Sequence, residues 1–145
     1  MILNTIMKAI ADGHPYETGE YRPTSGSRTM TVPFASAHPT RPAIIVLVDG
    51  NYIDSTSLGD TATLAWMFVD YSQLVGAMNI TAAYGMMYRS YKDINVSTVQ
   101  RQDNPITTEA ALANYATNTQ FFPSASSNSY GFKVGHGYKW IAIWL

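Results

Sequence analysis

Cysteine is absent from the 145 residues. That removes disulfides, thiolate-bound zinc and cysteine nucleophiles together. Charge is scarce: Asp, Glu, Lys and Arg make up 13% of the chain and sum to a formal −1. Such a balance offers no basic footprint for nucleic acid or an anionic lipid surface, so neither nucleic-acid binding nor membrane insertion is expected. Long apolar runs are missing too. Residues 43–48 form the longest strongly hydrophobic stretch, far short of the ~20 residues a membrane-spanning helix needs. Residues 1–12 lack a basic n-region and an uninterrupted apolar core, so no signal peptide is expected. By length the chain is one domain, able to bury roughly 68–70% of its unfolded surface.

Chemistry-bearing patterns are equally sparse. His14, His38 and His136 each stand beside Gly or Pro, none with a second His or a carboxylate at metal-ligand spacing, and exposed loop histidines are expected. Asp49, Asn51 and Asp54 place oxygen ligands at the first, third and sixth positions of a loop. A calcium-binding EF-hand requires Gly at the sixth position and Glu at the twelfth, where Asp54 and Asp60 stand. A structural turn is therefore expected over 49–60 rather than a calcium site. Asp49, Asp54, Asp60, Asp70, Asp93, Asp103 and Glu109 could supply a glycosidase pair by number alone. There is no G-x-S-x-G elbow and no phosphate-binding glycine pattern. The expectation is a non-enzymatic protein with no cofactor and no metal.

What is present is periodicity. Leu3, Ile6, Met7 and Ile10 fall at helical spacing with Gly13 as a stop, which predicts a helix over 3–12 within an N-terminal attachment segment, 1–14. Residues 15–145 then read as a single β domain. Strands are predicted at 16–21, at 30–34 with Pro33 at an edge or end, and at 43–48 with both faces covered. Further strands are predicted within 61–71, over 78–89 with a bulge or kink at Gly85, and over 95–102 as an edge broken by Asp103-Asn104-Pro105. A short helix is predicted in 107–116, and a disorder-prone loop over 123–129. Residues 130–134 and 138–145 flank Gly135-His136-Gly137 and predict a closing hairpin. In 138–145 both faces are mostly apolar, which predicts a central strand of a layered β structure or half of a subunit interface. Many short strands separated by Gly, Pro and Asn turns predict an all-β antiparallel β-sandwich, jelly-roll or lectin-like.

Ten tyrosines can supply flat, amphipathic contact surface of the kind sugar- and protein-binding patches use. Tyr52, Tyr115 and Tyr130 lie in or near expected loops and, with Asp54, are the candidate ligand-binding residues. Trp66, Tyr84, Tyr88, Trp140 and Trp144 fall at strand period, as core or interface residues. Leu3, Ile6, Ile10, Trp140 and Trp144 are the candidate oligomer-interface residues.

The order of segments carries a resemblance. Thr18-Gly19-Glu20-Tyr21-Arg22-Pro23, the strand ending Val32-Pro33-Phe34, the Pro-led strand from Pro42 to Gly50, and Gly131-Phe132-Lys133-Val134 followed by Tyr138-Lys139-Trp140-Ile141-Ala142-Ile143 together resemble the small β-sandwich domains at the ends of bacteriophage tail fibres and receptor-binding proteins. These in turn are similar to H-type lectins. Residues 17–145 are covered; the middle, 55–129, is longer than the compact lectin form, and no sugar site is carried over. The resemblance implies a virion protein made in the host cytoplasm, often a homotrimer joined near an axis by its N-terminal helix, working beside other virion proteins and adhering to host-surface carbohydrate. Closed symmetry would also account for apolar residues on both faces of 138–145. A head-decoration, head-fibre or baseplate assembly protein with no glycan ligand is the alternative, and a small glycan-cleaving enzyme comes third.

Overall fold

The computed structural model describes the chain except residues 1, 27, 51–60, 71, 74–79, 90–95, 107 and 126–130; over residues 2–3, 5–6, 61–64, 80–89, 96–106 and 109 the backbone alone is described. The apolar spacing of the first residues folds as a helix, α1 (Ile2–Ala11). Gly13 ends it at φ 78°, a conformation that costs a residue without Cβ little.

Strands follow: β1 (Tyr16–Tyr21), β2 (Val32–Pro33), β3 (Ile44–Asp49), β4 (Thr61–Val69), β5 (Ile80–Arg89), β6 (Val96–Ile106), β7 (Gln120–Phe121) and β8 (Tyr138–Ile143). One turn of helix, α2 (Glu109–Leu112), lies within the predicted 107–116 segment. It starts at Thr108, whose side chain accepts a hydrogen bond from the Ala111 N–H. The fold is all-β with antiparallel pairing throughout.

Six strands form one sheet in the order β1-β8-β3-β4-β5-β6, and β2 pairs with β7 in a separate two-stranded sheet. Strands β3 to β6 make a meander, while β8 inserts between β1 and β3. The two excursions, 22–43 and 107–137, carry β2 and β7 out of the large sheet, where Val32 pairs with Phe121.

β8 is thus an interior strand, with every residue from Tyr138 to Ile143 in register with both β1 and β3. This corrects the predicted closing hairpin. Both hydrogen-bonding edges of β8 are taken by distant strands, leaving none for residues 130–134. The predicted break at Asp103-Asn104-Pro105 is corrected as well, because β6 runs through it and Pro105 stands opposite Thr81. β6 ends the sheet, and an edge strand tolerates a residue with no N–H. Near Gly85 the register shifts between Thr63 and Ala65 of β4, so the extra residue is Leu64 on the facing strand. Pro123, Ser124 and Ala125, expected in a disordered loop, instead bond to 28–30 through Met30 N–H to Pro123 O (3.0 Å) and Ala125 N–H to Arg28 O (2.7 Å).

One face of the sheet carries the core. Ile45, Leu47, Trp66, Phe68, Tyr138, Trp140 and Ala142 are buried on it beneath Met30, Val32, Phe34, Leu112, Ala116, Phe121, Ala125 and Phe132 from the two excursions. Phe34, Phe121 and Trp140 meet with ring centroids 5.3–5.9 Å apart, in the offset and edge-on arrangements aromatic pairs favour.

The other face is covered only in part. Ile44, Val69 and Ile143 are buried, Val46, Met67 and Ile141 are half-buried, and Val48 beside Lys139 is 43% exposed. Complete cover on both faces of 43–48, predicted from its hydrophobicity, is therefore corrected.

Trp140 lies over Gly19, its register partner on β1. A Cβ at Gly19 would come within 2.6 Å of the indole, closer than packed atoms approach. Gly19→Val should destabilise the fold by about 1–3 kcal/mol through overpacking, measured by denaturant unfolding. An unchanged midpoint would mean the indole does not rest there.

Candidate ligand-binding pocket

At the sheet end where β3 begins and β4 finishes, a cavity of about 530 Å³ opens to solvent. Its first wall is the segment Pro39-Thr40-Arg41 that leads into β3. Its floor is Asp70, Ser72 and Gln73, just past β4, and the facing wall is Ala113, Ala116, Thr117 and Asn118, just past α2.

Strand pairing fixes the floor: the Asp70 N–H donates to Ala43 O at 2.7 Å, which holds the carboxylate at the sheet's end, 1% exposed. Four donors then converge on Asp70. Oδ1 accepts from the Ser72 N–H (3.1 Å) and Oγ–H (2.5 Å), and Oδ2 from Gln73 Nε2 (2.8 Å) and Arg41 Nε (3.3 Å). Gln73 Nε2 also reaches Arg41 O at 3.3 Å, tying the floor to the first wall. A buried carboxylate needs such partners, because burying a charge without them is prohibitive.

The facing wall is a tight reversal in which the Thr117 N–H donates to Gln120 O. Thr117 Oγ1 accepts from the Thr119 and Gln120 N–H groups, each at 3.3 Å. Asn118 Nδ2 crosses to His38 O at 3.0 Å, and Asn118 O accepts the His38 N–H at 2.9 Å, joining the two walls.

Chemically the lining offers hydrogen-bonding groups and small apolar contacts. Arg41 and Asp70 cancel in formal charge, and hydroxyls and amides from Thr40, Ser72, Gln73, Thr117 and Asn118 surround them. Pro39, Ala113 and Ala116 add small apolar contacts. Among the described residues, Asp70 is the one carboxylate in the lining, and its oxygens are already engaged.

The structure places the sequence candidates as follows. Tyr52, Asp54 and Tyr130 lie outside the described residues, as do Asp60 and the rest of the predicted calcium turn beyond Gly50. Tyr115 is half-buried and packs on Phe68, centroids 6.5 Å apart, beside the facing wall.

Of the interface candidates, Trp140 (8% exposed) and Trp144 (4%) are buried in the core of their own chain, their rings packed on Phe34. Ile10 is 39% exposed, and the side chains of Leu3 and Ile6 lie outside those described. Trp66 is core, as its strand period allows. Tyr84 and Tyr88 sit on β5 with backbone alone described.

Two histidines expected to be exposed loop residues are instead paired. His38 Nε2 is 2.6 Å from Glu17 Oε1, and His136 Nδ1 is 2.7 Å from the buried Asp49 Oδ2. Close by, burial pushes the Tyr138 phenol well above its usual range. The Lys133 N–H bonded to the phenol oxygen opposes that shift, and the Asp49 charge adds to it. Among the described residues no group of three His, Asp or Glu side chains could hold a metal ion. No described helix is long and apolar enough to cross a membrane.

Comparison with protein-family models, with curated proteins and with solved structures finds no match to this chain.

Proposed function

We propose that the chain is a bacteriophage virion structural protein: a tail-fibre or receptor-binding tip that adheres to host-surface glycan without cleaving it. The carrying observation is the charge-compensated polar pocket around Arg41 and Asp70, built from loops at the end of the large sheet. Ligand sites favour that kind of placement, and hydroxyl-rich ligands suit that lining. In this reading the layer carrying β2 and β7 is the second sheet of a lectin-like sandwich. The protein acts in the particle as a homotrimer, with α1 near the axis and Met7 and Ile10 offering exposed apolar contacts. Three weak sites become useful adhesion through multivalency.

A glycan array probed with the assembled protein tests this. Binding should be seen, and Arg41→Ala should reduce it at least tenfold, about 1.4 kcal/mol per site. An array at background with folded, assembled protein would overturn the adhesin role.

One observation favours the alternative, an assembly protein of head or baseplate. The partly open apolar face bearing Val46, Val48, Met67 and Ile141 suits a protein partner better than a sugar. That reading predicts a complex burying this face and no effect of Arg41→Ala on its assembly.

A further inference from the structure

Segments far apart in sequence meet at His38, the residue before the pocket's first wall. Its backbone N–H and C=O both bond to Asn118, joining the two walls. Its imidazole lies flat on the Trp144 indole, centroids 3.6 Å apart and planes 13° apart, while Trp144 Nε1–H donates to Thr40 O at 2.9 Å. Nε2 meets Glu17 Oε1 on β1, and Glu17 Oε2 accepts the Ala35 N–H at 2.9 Å. Pro39, Thr40 and Arg41, the first wall, are the next residues along the chain.

We propose that His38 is the positioning residue of this pocket, its charge state setting how firmly the two walls are held together and so how tightly ligand binds. The proposal rests on the ligand-pocket reading above.

A protonated ring makes a charge-assisted hydrogen bond to Glu17 and places a cation on an indole face. A neutral ring keeps the stack and loses both charge effects. Among the described residues, Glu17 is the charged group facing the imidazole. Its other neighbours are uncharged: the Trp144 face, the edge-on ring of Phe34 at 6.0 Å, and Asn118.

Burial pushes the Glu17 carboxyl up, but hydrogen bonds from His38 and the Ala35 N–H, with the imidazole's charge, outweigh it and hold the carboxyl below its ordinary value. A carboxylate lowered in this way contributes stability that is present above about pH 4.3 and lost as pH falls through its lower folded value. Histidine side chains change charge between about pH 5 and 8. The ion pair therefore holds the walls where the Glu17 carboxyl is ionised, above about pH 4.3, and the imidazole is protonated.

Three readouts on the whole chain test this, two of them without ligand. Tryptophan emission should be higher at about pH 8 than at about pH 5, because a charged imidazole stacked on Trp144 quenches the indole more than a neutral one. Over the same range, hydrogen-exchange protection of the His38 and Phe34 amides, which bond to Asn118 O and Thr119 O, should fall roughly three- to tenfold after correction for intrinsic rates. His38→Phe keeps a flat ring on Trp144 and should make both readouts independent of pH. Glu17→Gln removes the charged partner of the imidazole and should reduce the pH dependence of both readouts. Polysaccharide taken from a positive array should bind more tightly at pH 5.5 than at pH 8 by the same factor, and equally at both for His38→Phe.

Flat profiles in the wild-type protein, or the same pH dependence persisting in a folded His38→Phe variant, would overturn the proposal. An array with no binder removes the adhesin reading instead, and leaves the two ligand-free readouts to decide whether His38 holds the walls.

Discussion

Replacing Phe121 by Ala lowers the unfolding free energy by about 3–5 kcal/mol, the cost of deleting a large buried ring that its surroundings cannot fill. Phe121 is fully buried and lies within 6.0 Å, centroid to centroid, of Phe34, Trp66 and Trp140. It is also the β7 residue paired with Val32, so it fastens the covering layer to the sheet from both directions. Val48→Ala is the control. At 43% exposure on the open face, it should cost no more than about 0.5 kcal/mol. Urea unfolding of both variants measures the difference, and equal midpoints would mean that the covering layer is not packed on the sheet.

A still larger effect is expected from deleting residues 140–145. Among the described strands β1 has β8 as its one neighbour in the sheet, and β3 would be left with a bare edge. Trp140, Ala142, Ile143 and Trp144, each at most 8% exposed, would leave the core with them. The summed loss exceeds the 5–15 kcal/mol by which a domain is ordinarily stable. The shortened chain should therefore show no cooperative thermal transition and a collapsed spread of amide proton shifts. A sharp transition retained at a similar temperature would contradict an interior place for this strand.

The strands of this fold were legible where hydrophobicity alone decides. Residues 44–49 and 138–143 are so apolar that burial between neighbours was the economical reading, and both are interior strands. The helix ended by Gly13 was legible from spacing and punctuation. Pairing was not. Gly135-His136-Gly137 looks like a hairpin turn, yet β8 gains more by lying between β1 and β3, a choice made by long-range packing that no local signal carries. Pro105 misled in the same way, because its cost depends on whether the strand is an edge, and that is known only once the order of strands is known. Trp140 and Trp144 were legible as buried aromatics, though sequence could not say whether this chain or another buries them.

The candidate site was scarcely legible. Glu17 and His38 are 21 residues apart, and Asp49 and His136 are 87 apart; spacing rules for metal or catalytic sites see only neighbours. Arg41 and Asp70 become partners because Ala43 and Asp70 are joined across the ends of β3 and β4. That is a consequence of strand register, which composition cannot supply. Tyr115 came closest, being drawn from the segment that forms the facing wall.

The central functional claim, that ligand is held in the cavity between Arg41, Asp70 and Asn118, is tested most directly by amide chemical-shift mapping with the array-positive polysaccharide. Shifts confined to Thr40, Arg41, Asp70, Ser72, Gln73 and residues 113–118, with binding at least tenfold weaker for Arg41→Ala, are the expected result. Saturable shifts that leave those residues still and gather elsewhere on the chain would contradict it.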